Sequence, residues 1–321
     1  MSGAWSGWLA YAASFGVMAL IQGVACLGLN LQWGQTGLFN VGVAGFVSVG
    51  AYASALLTTA AVEGRLGGCG LPLVVGLVAA MVTAGLLSAA VGAVTLRLRS
   101  DYLAIATFGV AVVVDLVARN LTWLTGGPLG ISFIPRPFAL LADRPLAYAA
   151  ASFALVALIT FAAYALLERL VASPWGRVLR AIREDERAAA SLGKSAAAYR
   201  LQAFVLGGAL MGLAGALQAH TIGFISPENF AASVTFQVWA MLVVGGTGNN
   251  RGVLLGALLV SALWSVTGLA VAAGFPPEQQ ARAAALRIVL IGVLLSLTIL
   301  WRPRGLMGER TAVSRHLDAD D

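Results

Sequence analysis

Residues 181–195 read AIREDERAAASLGKS, and the fold turns on how the closing GKS is read. A phosphate-binding loop has the form G-x-x-x-x-G-K-[ST] between a strand and a helix, its backbone N–H groups cradling the phosphates. Here Ala188 stands at the first glycine position, followed by Gly193, Lys194 and Ser195, so only a relaxed pattern is met. The context opposes it. Residues Glu184 to Ser191 are alanine-rich with acids at their start, which favours a helix, and no β-branched strand precedes them. The same residues make a better short helix: Glu184, Asp185 and Glu186 in its first turn, Ala188, Ala189 and Ala190 keeping one side small, and Gly193 ending it. A small helix with a charged rim suits a groove in another protein.

The surrounding chain decides against a parallel sheet. Hydrophobic residues make up 59% of 321 and charged residues 11%, with a mean hydropathy of +0.87, whereas soluble domains carry about 25% charged residues. A membrane span needs about 20 mostly apolar residues. Nine candidates meet or approach this, at 8–31, 36–61, 71–96, 102–119, 145–168, 199–224, 231–247, 251–274 and 284–301. The second is expected to be broken or re-entrant. The expected fold is an all-α polytopic membrane protein of about 8–10 transmembrane helices, with one membrane domain over 1–308 and a disordered tail over 309–321.

The net charge of +6 could suggest nucleic acid, but basic residues of membrane proteins collect in cytoplasmic loops. Arg97 and Arg99, the group Arg169, Arg177, Arg180, Arg183, Arg187, Lys194 and Arg200, and the group Arg302, Arg304, Arg310 and Arg315 fall on one side if the segments alternate. Arg65, Arg119, Arg136, Arg144 and Arg282 fall on the other. The loop near 169–200 and the C-terminus are therefore expected in the cytoplasm. No Lys or Arg precedes the first apolar run, unlike a cleaved signal peptide, so the first helix is expected to be retained. Cys26 and Cys69 specify neither a disulfide framework nor a metal site. His220 and His316 supply no histidine cluster, and His220 reads as an interfacial side chain.

Several blocks together carry a family resemblance: RLRSDYLAIATFG (97–109), LTGGPLGI (124–131), RVLRAIREDERAAASLG (177–193), GFISPENF (223–230) and WRPRGLMG (301–308). Their types and order resemble the LivM-type branched-chain amino acid permeases of ATP-binding-cassette importers, over about residues 27–308. Glu186, Ala188, Ala189 and Gly193 resemble the coupling loop of such permeases, with Arg187 where the first alanine of that motif stands. The resemblance implies a cytoplasmic coupling loop over about 173–198, in which Arg180, Arg183, Glu184, Asp185, Glu186, Ala188, Ala189 and Gly193 meet an ATPase subunit. It implies a bacterial inner-membrane protein that pairs with a second, homologous permease, two ATP-binding subunits and an extracytoplasmic solute-binding protein. It also implies that this chain is not an enzyme and binds no cofactor, ATP and Mg²⁺ belonging to the partner subunits. Relatives of this type carry Glu and then Arg after YLAIATFG, where Val112 and Asp115 stand here. Because the wider family also moves urea and short amides, that departure leaves the solute open.

Two further features point to a substrate path. GQTGLFNVG (34–42) and GGTGNNRG (245–252) share a G-x-T-G start and interrupt apolar segments in the two halves of the chain. Interruptions of that kind point to a midplane site in transporters built from repeats, making Gln35, Thr36 and Asn40 candidates to line it; Thr247, Asn249 and Asn250 read instead as a turn. Asp115 is the one carboxylate well inside a candidate span. It is either a pathway residue or half of an ion pair with Arg119, one turn later in the favourable acid-before-base order. An ion-driven carrier would want more intramembrane ionisable groups than this, and an intramembrane enzyme a nucleophile with its base.

Overall fold

A computed structural model describes residues 2–62, 64–98, 100–141, 143–274, 276, 289–290, 292–302 and 304–309. The expectations for Arg99, Arg282, Arg310, Arg315, His316 and the tail after Glu309 lie outside these residues. The chain is helical nearly throughout. The long helices are α1 (Ser2–Gln32), α3 (Leu73–Thr95), α4 (Ser100–Asn120), α6 (Pro145–Ala172), α9 (Ala196–Ile222) and α11 (Asn250–Gly274). Each contains a stretch long and apolar enough to cross a membrane, six in all among the described residues. Shorter helices are α2 (Val43–Thr58), α5 (Thr122–Thr125), α7 (Pro174–Glu184), α8 (Glu186–Ser191), α10 (Ala232–Gly245) and α12 (Gly292–Trp301). Each of the nine apolar segments overlaps one of the long helices or α2, α10 or α12.

Small residues explain why α9 lies at the centre, packed on α1, α2 and α3. On its α2 side a Cβ at Gly215 would fall on the carbonyl of Val47, and one at Gly50 on the backbone of Gly212. Side chains are absent where these two helices cross, so their backbones touch, as at small-residue interfaces in membranes. Phe46 and Phe204 fill the adjoining space edge to face, with ring centroids 5.8 Å apart. The helix ends at Gly223, whose left-handed φ of 79° is open to glycine at little cost.

The second segment is broken, as expected. Helix α2 begins only at Val43, and residues 37–42 run without helix through the buried interior. Non-helical backbone at membrane depth survives only where protein satisfies its polar groups, and here side chains do so. Thr107 Oγ1 accepts from the Val41 N–H at 3.0 Å, and Thr235 Oγ1 from the Ala44 N–H at 3.0 Å. Trp33, Phe39 and Trp239 pack as a trio with centroids 4.6–5.5 Å apart, and Trp239 Nε1 donates to the Asn40 carbonyl at 2.9 Å.

The loops sort to two ends of the bundle. At one end Leu66 N–H bonds to Trp123 O, β1 (Ile131–Ser132) pairs antiparallel with β2 (Phe224–Ile225), and Arg136 donates to Ile222 O at 2.6 Å. The other, basic end carries α7, α8 and the segment 304–309. His220, in the last turn of α9, is buried in the protein, with Nδ1 2.8 Å from Pro135 O and Nε2 2.8 Å from Ser54 Oγ. A carbonyl only accepts, so Nδ1 carries a proton and the ring ties α9 to α2 and the 131–136 loop. Cys26 is buried and Cys69 exposed, and neither is bonded to the other.

Candidate functional site

The basic end is built from two short helices in series. Pro174 starts α7 at a position where its missing N–H is not needed, and the helix is amphipathic, with Leu179 and Ile182 buried. It ends at Glu184. Asp185 is extended (φ −148°, ψ 102°) and caps α8, its Oδ1 accepting from the backbone N–H of Arg187 at 2.9 Å and of Ala188 at 3.0 Å. Of the three acids expected in one first turn, then, Glu184 closes the preceding helix, Asp185 is the cap, and only Glu186 lies inside α8. Glu186 also pairs with Arg200 at 2.8 Å. Gly193 follows the helix with φ 74°, its N–H bonded to Ala190 O at 2.9 Å.

Ala189 does not belong to the outer face. It is 5% exposed and packs on Ile182 and Ala196. The face turned outward is Arg187, Ala188, Ala190, Ser191 and Leu192, the leucine 78% exposed. Sequence reasoning missed Leu192, because a leucine beside a helix-ending glycine ordinarily makes an apolar contact with its own helix. Since α8 has only six residues, its cap matters. Asp185→Ala is expected to cost ~1 kcal/mol locally and to speed cleavage between 185 and 195 in limited proteolysis of membrane vesicles.

Arg180 and Arg183, three residues apart, turn toward the bundle instead. Arg183 Nη1 donates to the Gly34 carbonyl, and Nη2 lies 2.9 Å from both carboxylate oxygens of Glu309. Arg180 Nη1 reaches Gln35 Oε1 at 3.4 Å and Val171 O at 3.3 Å. From there the network continues into the α10–α11 turn. Gln35 Nε2 donates to Gly248 O at 2.9 Å, Asn30 Oδ1 accepts from the Gly248 N–H at 2.8 Å, and Asn30 Nδ2 donates to Asn250 Oδ1 at 2.9 Å. Asn250 Nδ2 in turn donates to Glu168 Oε2 at 3.0 Å. A cavity of about 170 Å³ lies among Glu168, Arg180, Gly248, Asn249, Asn250 and Glu309.

The two G-x-T-G stretches are thus side by side, next to α7. Asn30 and Asn250 draw them there, bonding the backbone and side-chain amides across the gap. Thr36 Oγ1 donates to the Gln32 carbonyl, and Asn40 bridges Gln32 Oε1 and the Gly42 N–H, both at 2.7 Å. Gln35, Thr36 and Asn40 are all buried, and their polar groups hold the shape of the broken stretch. On α4, Asp115 Oδ2 accepts from Arg119 Nε at 2.8 Å, the i,i+4 pair the spacing predicts. Among the described residues no group of three or more His, Cys, Asp or Glu could hold a metal ion.

A family model described as the permease component of the branched-chain amino acid transport system matches residues 11–299. The chain belongs to this family. Among curated relatives of the permease, the high-affinity branched-chain amino acid transport system permease protein LivM of Salmonella typhimurium is 35% identical, and that of Escherichia coli K12 is 34% identical. Each alignment covers 90% of this chain and 68% of the relative. The probable branched-chain amino acid transport permease protein LivM of Methanocaldococcus jannaschii is 29% identical over 91% of both chains. No solved structure matches the permease.

Proposed function

We propose that this chain is a membrane-spanning subunit of an ATP-driven importer of branched-chain amino acids. The observation that carries the reading is a helical pair, α7–α8, exposed on one side and bonded on the other to the breaks in the spanning helices. Relatives whose names include branched-chain amino acid transport support the solute class over urea and short amides.

In this reading the basic end is cytoplasmic, the membrane is the bacterial inner membrane, and the chain pairs with a second permease. Arg187, Ala188, Ala190, Ser191 and Leu192 enter a cleft of an ATPase subunit. Arg180 and Arg183 pass the motion of α7 to Gly34, Gln35 and, through Gln35, to Gly248. The stretches that move are the two non-helical ones, which have fewer backbone hydrogen bonds to lose than a helix does. ATP and Mg²⁺ bind to the partner subunits, hydrolysis takes place there, and a soluble binding protein delivers the solute at the opposite end.

The test is reconstitution. The tagged chain, purified from mild detergent with whatever accompanies it, is placed in vesicles with ATP on the α7–α8 side. Uptake of labelled leucine, isoleucine or valine that requires ATP and the binding protein is the expected result. Uptake by this chain alone, driven by an ion gradient, would replace the reading with a secondary carrier.

A further inference from the structure

A groove of about 400 Å³ opens between the first turns of α1 and α6, at the end of the bundle opposite α7 and α8. Tyr11 and Ser14 line it from α1, Tyr148 and Ala149 from α6, and Arg136 and Ala139 from the loop that leads into α6. The root of that loop is fixed. Ile134 N–H donates to Gly223 O at 3.0 Å, and Arg136 Nη2 donates to Ile222 O at 2.6 Å. The guanidinium lies against Gly223, where any side chain would strike it. Tyr11 Oη is 2.6 Å from Ser265 Oγ, which fixes the ring on the α1 side.

The groove stands at the level of lipid head groups. The apolar spans Gly7–Gln32 and Pro145–Ala172 have 26 and 28 residues, about 40 Å each at 1.5 Å per residue. A bilayer measures about 40–45 Å with its head groups and about 30 Å without them, so the first turns of both helices lie outside the hydrocarbon. One turn deeper the same helix faces become apolar. Met18 follows Ser14 by four residues and Phe153 follows Ala149 by four, which places each on the face of its groove residue. They are 37% and 40% exposed, and the Phe153 ring rests on Gly16, closing the gap between the helices beneath the groove.

The polar atoms above are uncommitted. Among the described residues Arg136 forms no ion pair, and the hydroxyls of Ser14 and Tyr148 make no hydrogen bond. Guanidinium and hydroxyl groups donate to phosphate oxygens. None of the residues lining the groove is acidic, so a head group that carries an ammonium finds no carboxylate there. A cationic, hydroxyl-lined cleft above exposed apolar surface matches an acidic amphiphile.

We propose that this groove binds the phosphate of an acidic glycerophospholipid in the leaflet opposite α7 and α8. Arg136 Nη1 and the hydroxyls of Ser14 and Tyr148 donate to the phosphate oxygens, and the acyl chains descend over Met18 and Phe153. The bound lipid ties the start of α1 to α6 and to the loop between α5 and α6. The inference is independent of which solute the chain carries.

The experiment uses the full chain purified in mild detergent with whatever partners remain attached. Phosphatidylglycerol, phosphatidylcholine or soluble glycerol 3-phosphate is titrated in, and bound molecules are counted by native mass spectrometry. Phosphatidylglycerol is expected to bind more tightly than phosphatidylcholine and to resist displacement by glycerol 3-phosphate. Arg136→Gln is expected to weaken phosphatidylglycerol binding about 10-fold and Tyr148→Phe about 3-fold, the larger effect belonging to the charged donor. Arg65→Gln, a charge at the same end but outside the groove, should change nothing. Wild-type affinity in both Arg136→Gln and Tyr148→Phe would overturn the site. Equal binding of the two lipids would overturn the preference for an acidic one, and displacement by equal concentrations of glycerol 3-phosphate would reassign the groove to a free phosphate ester. Because Arg136 also holds the Ile222 carbonyl, its variant is accepted only with a wild-type melting profile; otherwise Tyr148→Phe, which removes a single oxygen, decides.

Discussion

Gly215→Val is expected to remove most of the folded protein from the membrane. The first added carbon falls on the carbonyl of Val47, and that carbonyl is backbone of a packed helix, with no flexible side chain to yield. Overpacking of a tight interior costs ~1–3 kcal/mol even where side chains can shift, so a clash of backbone with Cβ belongs at the upper end or beyond. The gain from replacing glycine in a helix, ~1 kcal/mol, is smaller and does not rescue it. Gly7 on α1 has nothing within 4 Å of the corresponding position, so Gly7→Ala should leave abundance and thermal stability in detergent unchanged. Equal abundance of Gly215→Val and wild type would mean that α2 and α9 separate more easily than their contact implies.

Arg183→Ala is expected to separate ATP hydrolysis from transport. One guanidinium joins the outward-exposed helical pair to the Gly34 carbonyl and to Glu309, which is 126 positions away in sequence. Hydrogen bonds to charged groups contribute ~1.5–3 kcal/mol each; at 23% and 31% exposure the Arg183–Glu309 pair belongs at the lower end. The expected result in reconstituted vesicles is at least 10-fold less leucine imported per ATP hydrolysed, with hydrolysis continuing. Arg183→Lys keeps the charge but has no planar fork to reach two partners at once, so it should fall between. Wild-type stoichiometry in Arg183→Ala would show that the motion travels by another contact.

Much of the architecture was legible because long apolar runs have few alternatives, and the break after Gln32 announced itself by glycines and amides in an apolar context. Details of the α7–α8 pair were not. Glu184 and Asp185 are both acids, and only the extended backbone at Asp185 separates the end of one helix from the cap of the next. Which of three consecutive alanines turns inward depends on a rotation set by Ile182 and Ala196, so Ala189 could not be told from Ala188. Arg180 and Arg183 joined the loop by charge, while their partners, Gln35, Gly34 and Glu309, come from distant parts of the chain.

Helix α9 runs unbroken for 27 residues, about 40 Å at 1.5 Å per residue. It begins two residues beyond Lys194, directly after the exposed pair, and ends where His220 and β2 hold the opposite loops. A stiff strut of that kind joins the α7–α8 end of the bundle to the loops at the opposite end. On the importer reading proposed above, the consequence is that a push on the exposed pair is expected to reach the loops at the far end of the bundle along one continuous rod.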